Sequence, residues 1–415
     1  MEFVTLCEDE YGKFRAKHPC RDFMNSLEAM ELKKMNHWVV EYVGVKEGNN
    51  ILCATPLVSI PVMKIYRFYY AQRGFLIDYQ DKKLLTFFVK ELTTYLKKKK
   101  ALYLIADPNI LYKERNIDGD LVEGGFDNSY VIQNMEQAGF VHQGFNKYYG
   151  TVSAIRWMFS LYLKDKDEKT LLKEMHLNTK RSINKTKKIG IEIKELSIDE
   201  LDYFFDIMEA TSSRRNFEIR DKDFYRNQMK VYKDKVKVLL AYLDISKWKN
   251  KLELEKEELE EELQKVCLKL SENPEAKNPL KKKMVLEESL VQNEKKYKDA
   301  FELEKKHGDW IPMASSFFLI DENQVVYLYG GGYDEFKRYN AQYALQWSMI
   351  QYALKHKKEK YNFYGISGDF DEHAADYGVY EFKRGFNGVV EELIGDFVLP
   401  IQRIPYKLYK AIKHK

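Results

Sequence analysis

The stretch KEELEEELQKVCLKLSENPEAKNPLKKK, residues 256 to 283, decides the architecture because it inserts two helices and a break into a chain of alternating strands and helices. Around it, residues 246 to 307 are rich in Glu, Lys and Leu and contain no glycine. A coiled-coil seam, with steps of four and three, runs along both helices. Its positions are Leu259, Leu263, Val266 and Leu270 on the way out, and Leu286, Leu290, Asn293, Tyr297 and Ala300 on the way back.

Two prolines, Pro274 and Pro279, separate the helices and prevent a single continuous rod. At about 1.5 Å per residue, each helix would be on the order of 35 to 40 Å long. The segment therefore predicts an antiparallel coiled-coil arm that projects from the rest of the protein.

Outside the arm, the sequence is typical of an α+β protein. The first part mixes helical periodicity with short aromatic and β-branched runs at 51 to 60, 65 to 70 and 102 to 105. A second unit begins with a strand at 156 to 163, a basic helix over 168 to 188 and a strand at 189 to 193. After the arm it resumes with strands near 315 to 320, 325 to 329 and 361 to 364, and a helix over 341 to 356.

Composition excludes several classes of protein. The 415 residues are 45% hydrophobic, enough for two or three structural units, and no apolar run reaches the roughly 20 residues that span a bilayer. The N-terminus is acidic and unlike a signal peptide, so a cytoplasmic location is expected. The four scattered cysteines form neither a zinc pattern nor a disulfide framework. A net charge of +4 is too small to indicate nucleic-acid binding by the whole protein.

Local charge is strong on the predicted basic helix. Leu172, Met175, Thr179, Ile183 and Thr186 form its apolar or neutral stripe. The other faces carry the candidate phosphate-binding residues Lys180, Arg181, Lys185, Lys187 and Lys188. Such a cluster neutralises phosphates without reading sequence. An ordinary solvated helix face is the alternative.

The C-terminal part crowds glycines at the ends of aromatic strands, in YLYGGGYDEF at 327 to 336 and YNFYGISGDF at 361 to 370. Glycine there allows a ligand to approach the backbone, although it equally suits tight turns. Between Phe382 and Arg384 lies Lys383, which is either a cation fixed in a cleft or a surface lysine.

An ordered set of motifs resembles the FemABX family over about residues 1 to 410. The set is RGFLIDY at 73 to 79, ADP at 106 to 108, GFVHQGF at 139 to 145, KRSINKTKKIG at 180 to 190, YGGG at 329 to 332, NFYGISGDF at 362 to 370 and GVYEFKRGFN at 378 to 387. The resemblance implies two acetyltransferase-like (GNAT-like) mixed-sheet subdomains with the coiled-coil arm inserted. The corresponding ranges are 1–150 for the first subdomain, 151–245 and 308–395 for the second, 246–307 for the arm, and 396–415 for a basic C-terminal segment that packs back on the first.

The resemblance also implies an activity: transfer of glycine, alanine or serine from aminoacyl-tRNA to an amine of lipid II, either the stem-peptide lysine or a growing interpeptide bridge of peptidoglycan. No cofactor or metal is implied beyond the tRNA-borne donor. The acceptor amine, with a reference pKa near 10.4, must lose a proton at a cost of about 4.6 kcal/mol at pH 7. A fixed cation that stabilises the oxyanion contributes roughly 3 to 4 kcal/mol.

Candidate site residues follow motif by motif. Lys383 matches the family's catalytic lysine, with Phe382 positioning it, and Asp107 matches an acidic residue considered as a base. Substrate-binding positions are Lys33, Arg215, Arg220, Tyr327 and Tyr364, of which Lys33 and Arg220 match basic residues near the precursor's phosphates. The cations of the basic helix would hold tRNA.

Other interpretations stay open at this level. A non-catalytic tRNA or coiled-coil interaction protein would use the basic helix and arm without chemistry. An acetyl-CoA-dependent N-acyltransferase is disfavoured because the pyrophosphate-binding loop of such enzymes has no convincing copy here. The arm is either a packing or dimerisation device, for a second copy or a Fem-like partner, or a tRNA contact at its Lys281 to Lys283 tip. The basic tail is either solvated or in peripheral contact with the inner membrane face.

Overall fold

A computed structural model describes residues 1–147 and 154–413. Its strands are β1 Glu2–Thr5, β2 Val39–Glu47, β3 Asn50–Val62, β4 Tyr66–Ala71, β5 Ala101–Ala106, β6 Val141–His142, β7 Trp157–Tyr162, β8 Glu192–Glu195, β9 Val236–Asp244, β10 Trp310–Ile320, β11 Gln324–Gly332, β12 Lys360–Gly365, β13 Val389–Glu392 and β14 Phe397–Pro400. Its helices are α1 Glu8–Arg15, α2 Leu27–Met35, α3 Lys82–Lys98, α4 Tyr130–Gln137, α5 Glu168–Glu174, α6 Leu177–Ile189, α7 Leu201–Arg215, α8 Lys222–Tyr232, α9 Ile245–Glu272, α10 Lys277–His307, α11 Ala341–Lys355, α12 Tyr377–Arg384 and α13 Arg403–Lys413.

The strands form two seven-stranded sheets. The first has the order β1-β2-β3-β4-β5-β14-β6, and the second has the order β13-β7-β12-β11-β10-β9-β8. Each sheet is mixed, because β4 and β5 run parallel in one, β11 and β12 run parallel in the other, and the remaining pairs are antiparallel. The predicted α+β class, with two mixed sheets and an inserted helical pair, is confirmed.

Each sheet buries an apolar helix face against its strands. On the first sheet, α3 has a helical-period stripe that includes the buried residues Leu85, Phe88 and Leu92. On the second, α11 buries Leu345 and Ile350 among strand residues. The last strand, β14, returns to the first sheet and pairs there with both β5 and β6.

The arm consists of α9 and α10, with 28 and 31 residues and therefore lengths of about 42 and 46 Å. The predicted seam is its interior: Val266, Leu286, Asn293 and Ala300 are buried. Asn293 donates its side-chain amide to the carbonyl of Leu252, 3.0 Å away. Lysines on the arm pair with its glutamates, so that its charges compensate one another.

The basic segment departs from its predicted form. Instead of one helix over 168 to 188, α5 ends at Glu174 and α6 begins at Leu177. The break arises because the His176 N–H donates to the carbonyl of Gly385 at 3.0 Å, rather than to the carbonyl four residues earlier. The strand expected at 189 to 193 is also shifted to Glu192–Glu195, because α6 continues to Ile189 and ends at Gly190 in a left-handed conformation.

Buried polar contacts join the two sheets. Arg15 of α1 donates to the carbonyl of Asp22 at 2.9 Å and lies 3.4 Å from the carboxylate of Asp321. The predicted boundary at residue 150 lies outside the described residues, as does the end of the basic tail. Among the described residues, no helix combines the length and the apolarity needed to cross a membrane.

Candidate active site

Lys383 lies on α12 and is buried, with 4% of its surface exposed. Its ammonium donates to the carbonyl of Gly365 at 2.5 Å and to that of Tyr364 at 3.4 Å. An ammonium has three donors, so one N–H is left for a further acceptor. Burial lowers the pKa of Lys383 to about 7, opposed by the nearby carboxylate of Asp376.

The two carbonyls face Lys383 because β12 is irregular at its end. Its pairing with β7 shifts register between Asn362 and Gly365. Tyr364 adopts a left-handed backbone with φ of 63°, and its N–H is held by the side chain of Asn362 at 2.7 Å. A polar side chain that bonds the backbone locally can stabilise such a conformation. The irregular end of β12 therefore supplies the acceptors for the lysine.

Phe382 packs away from this contact. Its ring meets Tyr343 edge-on with centroids 4.9 Å apart, and Phe386 at 5.6 Å. At the end of α12, a side chain on Gly385 would lie only 2.2 Å from the hydroxyl of Thr179. Phe382 thus fixes α12 in the core, while Gly385 lets α12 approach α6 closely.

Asp107 lies in the first unit, where β5 ends, and is 2% exposed. One carboxylate oxygen accepts the N–H of Arg73 at 2.8 Å, and the other lies 3.4 Å from the Arg73 guanidinium. Burial raises the pKa of Asp107 to about 7 against the opposing pull of Arg73. Arg73 therefore orients the group through its backbone N–H, while the second carboxylate oxygen is buried near the guanidinium and accepts no hydrogen bond within the described residues.

Tyr364 connects these two places. Its carbonyl accepts from Lys383, while its ring packs against Phe23 of the first unit with centroids 5.9 Å apart. Burial raises the pKa of Tyr364, and the charges of Arg73 and Asp107 act on it. Lys383 and Asp107 thus lie on either side of one tyrosine at the junction of the two units.

Lys33 and Arg220 belong to different units and act on each other electrostatically. Lys33 is half-buried, with its ammonium 4.9 Å from the centre of the Trp38 ring. Burial lowers the pKa of Lys33, Asp107 raises it, and the positive charge of Arg220 lowers it further. In the described part of the chain, Arg220 makes no ion pair; its guanidinium lies 5.7 Å from the Phe224 ring. Such a pair of cations suits a bound anion.

Arg215 and Tyr327 form a separate neighbourhood. Arg215 is exposed at the end of α7, and its charge acts on half-buried Tyr327. Burial raises the pKa of Tyr327 to about 12, opposed by Ser316 and Arg215. None of the described hydrogen bonds or ion pairs joins these two residues to Lys383. The charge of Asp107 therefore acts on both Tyr364 and Lys33, and Arg220 acts on Lys33. The charge of Arg215 acts on Tyr327.

Four of the five candidate cations of α6 line an open depression of about 470 Å³ together with Asn184: they are Arg181, Lys185, Lys187 and Lys188. Lys180 and Lys185 donate to the backbone carbonyls of Lys173 and Arg338. Throughout 1–147 and 154–413, none of the five pairs with a carboxylate. The predicted stripe of Met175, Thr179, Ile183 and Thr186 is buried.

Sequence reasoning did not identify Arg73, or the loop around Ile117 and Asp118 that contacts α12, as part of the site. Arg73 stands in the RGFLIDY motif, which was a usable signal, and it is 2% exposed. The loop reaches from the first unit to α12: Tyr380 donates to the carbonyl of Ile117 at 2.7 Å, and Arg384 donates to Asp118 at 2.9 Å. These contacts flank Lys383 on its own helix, but they join residues far apart in sequence.

The site therefore combines the buried cation of Lys383 with two oriented backbone carbonyls, and it includes the cations Lys33 and Arg220. In the ranges that the structure describes, no group of three or more His, Cys, Asp or Glu side chains is placed to hold a metal. Comparison with known proteins is decisive for the family, since a sequence model described as the FemAB family matches residues 6–414. The chain belongs to the FemAB family.

FemAB relatives resemble the chain over its whole length. Aminoacyltransferase FemA of Staphylococcus aureus strain bovine RF122 / ET3-1 is 38% identical over 414 residues, which cover 100% of this chain and 98% of that protein. The same identity and coverage hold for Aminoacyltransferase FemA of strain N315. Among solved structures, the crystal structure of FemX superposes with a TM-score of 0.83 at 24% identity, covering 98% of this chain and 99% of that one. This last likeness supports the fold.

Proposed function

We propose that this FemAB protein is an aminoacyltransferase that moves glycine, alanine or serine from aminoacyl-tRNA to an amine of lipid II, and so builds the interpeptide bridge of peptidoglycan. The observation that carries the proposal is the buried ammonium of Lys383, held on the carbonyls of Tyr364 and Gly365 at the junction of the units. Membership of the family and the likeness to aminoacyltransferases supply the reaction class.

In the reaction, the lone pair of the acceptor amine attacks the ester carbonyl of the charged tRNA. The C–N bond forms, the carbonyl oxygen becomes an oxyanion, and the C–O bond to the ribose then breaks. The proton lost by the amine ends on the ribose oxygen that leaves. Lys383 stabilises the oxyanion with the N–H that the two carbonyls do not use.

The surrounding groups divide the remaining tasks. Lys33 and Arg220 bind the phosphates of the lipid-linked acceptor. Asp107 and Arg73 hold each other in place at the end of β5, and Tyr364 positions the Lys383 ammonium through its carbonyl. The unpaired cations of α6 bind tRNA phosphates.

The partners follow from these tasks. They are a charged tRNA, lipid II or its bridge-bearing form, and the inner face of the membrane where a lipid-linked acceptor resides. The protein works from the cytoplasmic side, and no cofactor is used. The arm offers a surface for a second copy or another Fem-like enzyme.

The deciding experiment offers glycine, alanine and serine, each radiolabelled and charged on tRNA, to lipid II and to bridge-bearing lipid II. Wild type is compared with Lys383→Ala and with Lys90→Ala, an exposed lysine on α3, as the matched control. We expect one donor and acceptor to react, the Lys383 variant to lose most of the rate and the control to keep it. Transfer by no pair, with tRNA binding intact, would instead indicate an interaction protein.

A further inference from the structure

The C-terminal helix α13 exposes an apolar stripe. Ile404, Leu408 and Ile412 recur every four residues and are 76%, 59% and 68% exposed. Residues four apart lie on the same face of a helix. On the other side, Tyr406 and Tyr409 pack against Tyr103, with ring centroids 5.0 and 5.7 Å apart. The helix is thus fastened by its tyrosines and turns its aliphatic side chains away from the protein.

Strand register places further exposed apolar residues at the same end of the first sheet. Where α13 starts, the N–H groups of Ile401 and Gln402 donate to the carbonyl of Leu102, near the beginning of β5. The turn between β3 and β4 reaches that end too, because the Arg67 N–H bonds the carbonyl of Lys100. Met63 and Ile65 in this turn are 40% and 65% exposed.

The same end is basic. We define the basic edge as residues 60–68, 96–103 and 400–413, ranges that contain no Asp or Glu. Its exposed cations without an ion pair among the described residues are Lys64, Lys97, Lys98, Lys100, Arg403, Lys407 and Lys410. One further lysine, Lys99, pairs with Glu41 at 2.6 Å. Large exposed aliphatic side chains and unpaired cations therefore share one surface.

We propose that the basic edge docks on an anionic lipid bilayer, with the α13 stripe and the β3–β4 turn entering the headgroup region and the lysines meeting lipid phosphates. Both features are needed at a membrane surface. A dissolved polyanion such as tRNA would neutralise the cations but leave the aliphatic side chains in water. This proposal rests on the proposed function in one respect: at the bilayer surface the protein would encounter its lipid-linked acceptor. Binding of the basic edge to lipid does not itself require the acceptor.

The experiment is sedimentation of the full chain with two kinds of vesicle over a series of salt concentrations. The neutral vesicles contain phosphatidylcholine alone, and the anionic vesicles contain phosphatidylcholine with about 30% phosphatidylglycerol. We expect binding to the anionic vesicles only, weakened by salt. The double variant Ile404→Glu, Leu408→Glu should bind at least about tenfold more weakly, because it removes apolar burial and adds negative charge. Lys97→Glu, Lys98→Glu is the second variant and should weaken binding by a similar factor.

The matched control is Leu268→Glu, Val291→Glu on the arm, where both residues are similarly exposed, at 68% and 67%. This variant should bind vesicles like wild type. Equal binding of the wild type to neutral and anionic vesicles would overturn the proposal, and so would unchanged vesicle binding by both edge variants. It would also be overturned if the edge variants lost tRNA binding but kept vesicle binding. Lys383→Ala should still sediment with vesicles, which separates this proposal from the catalytic one.

Discussion

Lys383 and Asp107 are two buried ionisable groups, one in each unit, whose pKa values both lie near 7 but arrive there from opposite directions. Burial lowers the pKa of the lysine and raises that of the aspartate. Their partners differ: Lys383 has neutral carbonyls and a spare donor, while Asp107 accepts the Arg73 N–H with one oxygen and faces the Arg73 guanidinium with the other, which accepts no hydrogen bond within the described residues. Burial is the largest cause of both shifts, and at Lys383 the charge of Asp376 opposes it. At Asp107 the charge of Arg73 opposes it and that of Asp396 adds to it.

The largest expected effect concerns the spare donor of Lys383. Lys383→Met keeps the length of the side chain and removes the charge. Transfer from aminoacyl-tRNA should fall roughly 100- to 1000-fold in kcat, corresponding to the loss of one oxyanion donor. Single-turnover transfer assays measure it, with Lys90→Met on α3 as the control. A kcat within a factor of three of wild type would remove Lys383 from the chemistry.

The second expected effect is on stability, and its sign follows from the lowered pKa. Above pH 7 the folded protein releases the Lys383 proton, while the unfolded chain keeps it up to its ordinary pKa near 10.5. The unfolded state then binds more protons, so wild type gains stability as pH rises through this window. Relative to Lys383→Met, the gain from pH 7 to 9 should be roughly 2 kcal/mol. Urea unfolding at each pH measures it, and parallel curves would contradict it.

Asp107 should show the mirror image at lower pH. Its raised pKa means that the folded protein holds the proton between about pH 4 and 7 while the unfolded chain has released it, so wild type loses stability over that window. Against Asp107→Asn, the loss from pH 5 to 7 should be roughly 1 to 2 kcal/mol. The amide can still accept the Arg73 N–H through its oxygen.

The transfer activity of the same Asp107→Asn variant shows whether Asp107 takes part in the chemistry. If Asp107 only shapes the junction, transfer at pH 7.5 should fall less than about tenfold in Asp107→Asn, because one hydrogen bond of roughly 1 kcal/mol is weakened. A loss as large as that of Lys383→Met would make Asp107 the general base. The control is Asp9→Asn, an exposed aspartate on α1 that pairs with Lys13.

The sequence predicted the arm seam and the two ionisable groups, but it did not predict the contacts that depend on distant parts of the chain. Periodicity located the arm seam, and the motif resemblance selected Lys383 and Asp107 as individual residues. The break between α5 and α6 escaped because it depends on the Gly385 carbonyl, far along the chain. Arg73 escaped as the partner of Asp107 for the same reason. Contacts between distant segments leave no local periodicity to recognise.

The smallest expected effect concerns Lys33 and Arg220, two cations from different units whose like charges act on each other. Lys33→Ala and Arg220→Ala should each raise the KM for lipid II about fivefold, or roughly 1 kcal/mol, with kcat little changed, because a phosphate contact is made in ground and transition states alike. Lys230→Ala, on α8 beyond Arg220, is the control. A fall in kcat without a rise in KM would place these cations with Lys383 rather than with acceptor binding. Because both residues would bind the same anion, their effects should be coupled, and the KM of the double variant should differ from the product of the two single effects.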